Sequence, residues 1–170
     1  MQLDFKIDIA AIQASFRKLQ DLGKSDGLTR KIANVLRDES ESAFDNERTP
    51  EGESWAGLNP QYKKRRHEKG YTGKTLHVTG DLINSLNVDY GDNFAMVGVS
   101  EPYGKYHQEG TTKMSARSFL GLGEDGIEEI KNILEKALKN AIDEIKWEMC
   151  KMIAVLFFKR SASDLNAPKV

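Results

Sequence analysis

The chain is short of cysteine, of net charge and of long apolar runs. Cys150 is the only cysteine among 170 residues, which excludes an intrachain disulfide and a cysteine-rich zinc site. The formal net charge is -1, so no overall field draws the chain to nucleic acid or to anionic lipid. The longest strongly apolar run, MIAVLFF at 152–158, is far below the roughly 20 residues that span a bilayer. We therefore expect no membrane association.

Signatures of catalysis and of metal binding are missing as well. Residues 73–75 read Gly-Lys-Thr, the end of a phosphate-binding loop, but Glu68 stands where that pattern needs a glycine. His67, His77 and His107 lack the i, i+4 pairing that would place two imidazoles on one helical face for zinc. No serine lies in a G-x-S-x-G elbow. We expect no cofactor, no metal and no enzymatic activity.

The composition that remains is that of a folded globular protein. Hydrophobic residues make up 39% and charged residues 30% of the chain. The length fits one domain that buries its own core. We expect a single domain over 1–170 of the α+β class, with a small antiparallel sheet containing a β-hairpin packed against several helices, one of them long and C-terminal.

The N-terminal part is predicted to be mainly helical. Residues 2–7 fit a short strand, and apolar positions at helical spacing predict helices within 8–45, separated at Gly23. The buried stripe of the second helix is predicted to comprise Leu28, Ile32, Val35, Leu36 and Ala43. Two prolines and two glycines predict a long surface loop over 46–60.

The middle of the chain mixes helical and strand patterns. Residues 61–69 fit a short basic helix ended by Gly70, and a second short helix begins near Thr79, whose hydroxyl could cap it. Two β-rich runs within 85–99 are separated by Gly-Asp-Asn at 91–93, residues that tolerate positive φ. This pattern predicts a hairpin.

The C-terminal part has the strongest helical period, over about 124–158. At about 1.5 Å per residue such a helix reaches about 45–50 Å, whereas a domain of this size is about 40 Å across. We therefore expect part of the helix to project and to bind a partner. A break near Lys146, with the last segment folding back, is the alternative. Residues 161–170 are predicted to be a loose tail.

One segment is densely basic. Its cationic residues are Lys63, Lys64, Arg65, Arg66 and Lys69. Such a patch could neutralise phosphates, which leaves open a small DNA-binding or regulatory protein. A contact with packaged DNA, a contact with an acidic partner, and a merely solvated helix face remain alternatives.

The stretch 103–122 holds several residue types that are common in active sites. Tyr103, Tyr106, His107 and Gly110 have the spacing of one helical face ended by glycine, which predicts that the aromatic rings pack inward while Lys105 and Gln108 point elsewhere. We expect His107 to be a core histidine bonded to a neighbour. After Arg117, Phe119 and Leu120 are predicted to anchor the loop to the core.

These residues, taken in order, resemble the phage virion morphogenesis family of Mu-like and P2-like tailed phages. The resemblance covers about 50–145. Its matching residues are Trp55, Leu58, Pro60, Leu76, Thr79, Gly80, Leu82, Ser85, Leu86, Tyr103, His107, Gln108, Gly110, Arg117, Phe119, Leu120 and Gly121. The chain departs from the pattern at Ser118, where the family commonly has proline; the change costs the loop some stiffness.

The resemblance implies a structural virion protein that acts in tail completion or termination and in head-tail joining. It further implies a homo-oligomeric ring, expected to be a hexamer, at the neck of the virion or the top of the tail. The implied partners are copies of the chain, the tail tube protein, and head connector or neck proteins. The implied location is the virion, and the host cytoplasm during assembly.

Two loops are the predicted contact regions of this subunit. We expect the loops 46–60 and 110–118 to touch neighbouring subunits or rings, with Trp55 and Arg117 as interface anchors. The alternative for Trp55 is a lid over its own core.

Overall fold

A computed structural model of the chain describes the backbone of residues 9–22 and 24–164, and the side-chain surroundings of residues 13–14, 17–22 and 24–151. The chain divides into two compact units, 24–134 on its own and 1–23 grouped with 135–170. The single domain with a family-like core at 50–145 stays a prediction. The predicted strand at 2–7 lies outside the described residues.

The elements follow one another in an α+β order, which confirms the predicted class. They are α1 (Ile9–Leu22), α2 (Asp26–Asn46), α3 (Pro60–Glu68), α4 (Asp81–Asn84), β1 (Leu86–Gly91), β2 (Phe94–Val99), α5 (Gly104–Glu109) and α6 (Glu124–Asp164).

The hairpin lies where the two β-rich runs predicted it. β1 and β2 pair antiparallel from Leu86 opposite Val99 to Gly91 opposite Phe94. Leu86 is buried and the alternating positions Asn87 and Asp89 are exposed, as expected for a sheet with one covered face. α2 contacts both strands. The turn residues 91–93 tolerate a positive φ, but none of them takes one.

The core of residues 24–134 is centred on Phe44, near the end of α2. The Phe44 ring is fully buried, lies 4.9 Å from the ring of Phe119 and meets Trp55 edge-on at 5.9 Å. The buried residues Leu76, Leu82 and Leu86 join Phe44, Ala43 and Phe119 in this cluster. The helices α2 and α4, the hairpin and the loops that contain Leu76 and Phe119 therefore share one core.

The covered face of α2 is rotated relative to the prediction. Leu28, Ile32 and Leu36 are only half-buried, whereas the buried set comprises Thr29, Ala33, Val35, Ser40, Ala43 and Phe44. The buried hydroxyls of Thr29 and Ser40 donate hydrogen bonds to carbonyls one turn back in the chain. Small polar side chains thus fill a face that a count of large apolar residues does not detect.

The loop 46–60 is ordered by local contacts. A short antiparallel bridge joins Arg48 to Ser54. At its end, the Asn59 side chain accepts hydrogen bonds from the amides of Gln61 (2.9 Å) and Tyr62 (3.4 Å) and so caps α3, with Pro60 in the first turn. The predicted basic helix therefore begins one residue earlier than expected.

The short helix α4 is preceded by Gly80 with φ 88° and has no side-chain cap bond. The Thr79 hydroxyl instead donates to the carboxylate of Asp81 at 2.5 Å, and the Asp81 amide lies 3.5 Å from that hydroxyl oxygen. The predicted contact of the Thr79 hydroxyl with a following amide is therefore present as one long hydrogen bond from Asp81, while the N-cap position itself is occupied by Gly80 in the left-handed region.

α6 is continuous from Glu124 to Asp164, without the alternative break near Lys146. Of the predicted loose tail, 161–164 belong to this helix and 165–170 lie outside the described residues. No helix in the described part of the chain is both long and apolar enough to cross a bilayer.

Candidate functional site

The segment 117–120 is docked against α5 by the side chain of Gln108. Gln108 Oε1 accepts hydrogen bonds from the amides of Phe119 and Leu120, each at 3.0 Å, and Nε2 donates to the Leu120 carbonyl at 2.8 Å. The Arg117 amide donates to the His107 carbonyl at 2.7 Å. The prediction that Gln108 points away from this packing is wrong, because its side-chain amide has both a donor and an acceptor and can bind the backbone of the neighbouring segment 117–120.

Ser118 supplies a restraint of its own. Its hydroxyl donates to the Gln108 carbonyl at 3.1 Å, and its carbonyl accepts from the Trp55 indole at 2.9 Å. A proline at this position has no hydroxyl to donate. The side-chain hydrogen bond therefore offsets part of the stiffness that the family's usual proline would give.

Trp55 and Arg117 tie the loop 46–60 to this segment. Arg117 Nε donates to the carbonyl of Ala56 at 2.9 Å, and Nη2 donates to the carbonyl of Gly57 at 3.1 Å. Trp55 is half-buried and packs on the core. Both side chains therefore make contacts within the chain, as in the lid alternative for Trp55; their role as interface anchors stays a prediction.

Gly110 lets the chain turn from α5 into the next loop. Its φ is 76°, and a Cβ added there would lie 2.8 Å from the amide nitrogen of Ala116 and 3.0 Å from the carbonyl oxygen of Met114. Glycine is required on both grounds. The predicted end of the helical face at this residue is confirmed.

A cavity of about 580 Å³ lies beside these loops. Three potential cations line it, namely Lys113, Arg117 and His107. Its apolar lining includes Leu58, Leu76 and Leu82, and its polar lining includes Thr79, Gly80 and Asp81. The fold thus brings eight of the resemblance residues to one cavity: Leu58, Leu76, Thr79, Gly80, Leu82, Tyr103, His107 and Arg117.

His107 is half-buried at this cavity, and its Nδ1 atom is buried with no hydrogen-bond partner among the described residues. The predicted bond to a neighbouring group is therefore not seen at Nδ1. Burial, and secondarily the charge of Arg117, lower the pKa of His107 from its ordinary value of 6.5. The ring of Tyr103 meets that of His107 edge-on at 6.0 Å.

The two tyrosines of this stretch are both exposed, contrary to the prediction that the aromatic rings pack inward. Tyr106 is 58% exposed and Tyr103 39% exposed. The prediction for Tyr106 is wrong because the short α5 buries its Gly104 side: a Cβ added at Gly104 would meet Val99 Cγ2 at 2.5 Å. Close approach at glycine, rather than aromatic packing, sets which face of α5 is covered.

The remaining resemblance residues have structural contacts. The Ser85 hydroxyl donates to the Leu82 carbonyl at 2.7 Å. Phe119 is fully buried, and Leu120 packs against the core as predicted. Phe44 is missed by the sequence reasoning, although its place near the end of an amphipathic helix is a usable signal.

The basic segment is not one continuous surface. Arg66 is buried, and its guanidinium donates to the carbonyls of residues 73, 74, 75 and 77 over 2.6–3.0 Å. Arg66 is thus a structural residue that organises the loop 73–77, because a planar group with several donors can satisfy several carbonyls at once. The exposed cations of the segment are Lys63, Lys64, Arg65 and Lys69.

A second contact holds the loop 73–77. Glu47 ends α2 with φ 50°, and its carboxylate accepts a hydrogen bond from the Thr75 amide at 2.5 Å. This hydrogen bond lowers the pKa of Glu47 from its usual 4.5. Within the described residues, no group of histidine, cysteine, aspartate and glutamate side chains is placed to hold a metal ion.

Comparison with known proteins gives a consistent relationship. The model of the phage virion morphogenesis family matches residues 7–139. The Mu-like prophage FluMu G protein 1 of Haemophilus influenzae is 48% identical over 146 residues, which cover 85% of this chain and 100% of that protein. Protein G of Escherichia phage Mu, whose name assigns it provisionally to capsid assembly, is 26% identical over 152 residues, 84% of this chain and 97% of that protein. No solved structure matches the chain. The chain belongs to the phage virion morphogenesis family.

Proposed function

We propose that the chain is a structural, non-catalytic virion protein that completes the tail and joins it to the head as a homo-oligomeric ring at the neck. Membership of the family assigns the chain to virion morphogenesis. The matches to the two Mu-like G proteins cover 85% and 84% of this chain, and the name of the phage Mu protein refers to capsid assembly, which supports an assembly role. The proposed partners are copies of the chain, the tail tube protein and the head connector.

The observation that carries the proposal is an apolar stripe on α6. Ile127, Leu134, Leu138, Ile142 and Met149 are separated by seven, four, four and seven residues, which places them on one face of a helix with about 3.6 residues per turn. Each of these side chains is 38–47% exposed. A repeated stripe of large apolar side chains on a helix is typical of a face that another protein surface covers.

The hairpin offers a second apolar surface. Phe94 and Met96 are 44% and 53% exposed on β2, on alternate residues and hence on one face of the sheet. The sheet has only two strands in the described part of the chain, so each strand has an edge that can pair with another strand. Both features suit a subunit of a closed ring.

Electron microscopy of a phage that lacks the gene tests the proposed role. We expect filled heads and tails that are not joined, or tails of abnormal length. Normal joined particles in the absence of the protein would overturn the proposal. Labelled protein should be found at the head-tail joint of wild-type particles.

A matched pair of α6 variants tests the proposed interface. Leu138→Glu places a charge in the stripe, whereas Asn140→Glu places the same charge on the other side of the helix. We expect Leu138→Glu to abolish ring formation and complementation, and Asn140→Glu to retain both. Equal behaviour of the two variants would contradict a role for the stripe.

Contact with packaged DNA is proposed as a secondary duty of the exposed cations of α3 and its C-terminal cap. Lys63, Lys64, Arg65 and Lys69 are exposed, and none of them takes part in an ion pair within the described residues. Such a contact depends on phosphate neutralisation, so it should weaken steeply as salt is added. DNA binding whose affinity does not change with salt concentration would argue against this contact.

A further inference from the structure

Arg117 is a buried cation without an anion. Its side chain is 5% exposed, and the acceptors of its Nε and Nη2 atoms are two neutral carbonyls. No ion pair in the described part of the chain includes it, and no protein atom there accepts a hydrogen bond from Nη1. A guanidinium removed from water is costly unless an anion or further acceptors compensate it.

The unpaired guanidinium faces a space that can hold an anion. Arg117 lines the cavity of about 580 Å³, and the exposed Lys113 lines the same cavity. His107, whose Nδ1 has no partner in the described residues, adds a potential donor to this lining. The one acidic residue of the lining, Asp81, already accepts a hydrogen bond from Thr79.

The cavity is larger than a carboxylate needs. Its volume lies within the roughly 300–1,000 Å³ of sites that bind ligands of several functional groups. Leu58, Leu76 and Leu82 form an apolar part of the lining, and the partly exposed Tyr62 and Tyr103 complete it. The chemistry therefore fits a ligand that carries a carboxylate beside an aliphatic or aromatic group.

We propose that this cavity binds a polypeptide segment of another virion protein through an aspartate or glutamate side chain with an apolar neighbour. The carboxylate accepts hydrogen bonds from Arg117 Nη1 and from the Lys113 ammonium. The apolar neighbour packs against Leu58 and Leu82. The choice of a polypeptide rests on the proposed assembly function, since the tail tube protein and the head connector that the chain would join are polypeptides. The choice of an acidic side chain rests on the two cations.

Three short peptides, titrated into the full ¹⁵N-labelled chain, test the proposal. Acetyl-Leu-Glu-Leu-amide carries the acidic side chain, acetyl-Leu-Gln-Leu-amide is its neutral isostere, and acetyl-Leu-Leu carries only a terminal carboxylate. We expect the glutamate peptide to shift the Arg117 Nε–H resonance with a Kd in about the millimolar range. It should bind about tenfold more tightly than the glutamine peptide, because a charged hydrogen bond is lost in the latter.

Lys113→Gln should weaken binding of the glutamate peptide about three- to tenfold, because one cation is lost while Arg117 keeps its loop contacts. Lys105→Gln is the matched control, since Lys105 is exposed on α5 and does not line this cavity. Equal binding of the glutamate and glutamine peptides, no binding of either, or equal effects of the two variants would overturn the proposal.

Tighter binding of the peptide with the terminal carboxylate would overturn the assignment to an acidic side chain. Since these titrations use the purified chain, their outcome is independent of where the protein lies in the particle. Peptide binding together with normal joined particles in the deletion phage would contradict the proposed function and leave the site in place.

Discussion

Two arginines in the compact unit 24–134 are both buried, but they differ in the number of carbonyls that they bind and in whether they line a cavity. Arg66 is 4% exposed and donates to four carbonyls of the loop 73–77 through its two terminal nitrogens, while its buried Nε has no hydrogen-bond partner among the described residues. Arg117 is 5% exposed and donates to only two carbonyls, those of residues 56 and 57. Arg117 lines a cavity of about 580 Å³, whereas Arg66 does not.

The difference separates a structural arginine from one that still has binding capacity. The terminal nitrogens of Arg66 hold a loop, and its remaining donor, Nε, is buried and does not line the cavity. A guanidinium with an unused donor at a cavity both holds a loop and offers a charge to a ligand. Burial alone therefore does not assign a role to an arginine; the number of its acceptors and the cavity beside its unused donor do.

The largest effect is expected for Arg66→Met. The substitution keeps an unbranched apolar stem but removes the guanidinium and leaves four carbonyls without their donor, so the free energy of unfolding should fall by about 3–5 kcal/mol. Denaturant unfolding measures it. The adjacent, exposed Arg65→Met is the control and should change the free energy by less than about 0.5 kcal/mol. Equal losses for the two variants would remove the structural role of Arg66.

A smaller loss of about 2 kcal/mol is expected for Arg117→Met, because two carbonyls rather than four lose their donor and removal of a poorly compensated charge offsets part of the loss. The same unfolding experiment measures it. Lys113→Gln, which changes only an exposed cation at the same cavity, should stay within about 0.5 kcal/mol of the wild type. A loss of unfolding free energy for Arg117→Met as large as that for Arg66→Met would contradict the claim that Arg66 contributes more to stability than Arg117.

The smallest effect concerns Glu47, the second restraint on the loop that Arg66 holds. Its pKa is lowered in the folded chain, first by the hydrogen bond from Thr75. The stabilisation from the ionised carboxylate is therefore present above a pH of about 4.5 and is lost as the pH falls through the lower folded value. Glu47→Gln should cost about 1 kcal/mol at neutral pH and almost nothing in acid.

Unfolding of this variant and of the wild type at a series of pH values measures the difference. Glu53→Gln serves as the control, because Glu53 is exposed and its side chain makes no hydrogen bond in the described structure. A difference between Glu47→Gln and the wild type that persists unchanged into acid would show that the charge of Glu47 is not what stabilises the loop.

Sequence patterns predicted the elements whose signal is local. The hairpin, the basic helix and the C-terminal helix follow from β-rich runs and from apolar spacing within a few turns. The basic run at 63–66 could not reveal that Arg66 differs from Arg65. Both are basic, and the four carbonyls that distinguish Arg66 come from a loop later in the chain.

The candidate site was also hard to predict, because its contacts join residues that are distant in the sequence. The role of Gln108 depends on amides 11 and 12 residues away, and that of Arg117 on carbonyls 60 and 61 residues away. The ordered motif identified these positions as a set, but their partners are fixed by the tertiary fold. For Tyr106, the helix was predicted correctly but the buried face was not. The covered face of α5 is set by the close contact at Gly104, and Tyr106 is exposed.

The hydrogen bond from Trp55 to Ser118 has a consequence for synthesis on the ribosome. The two residues are 63 positions apart in the sequence, and the hydrogen bonds from Arg117 to the carbonyls of Ala56 and Gly57 join residues 61 and 60 positions apart. As the chain emerges from its N-terminus, the indole and the neighbouring Phe44 ring stay open to water until the later segment arrives and closes this long loop. Nascent chains that stop before residue 117 therefore keep an aromatic surface that chaperones and proteases recognise.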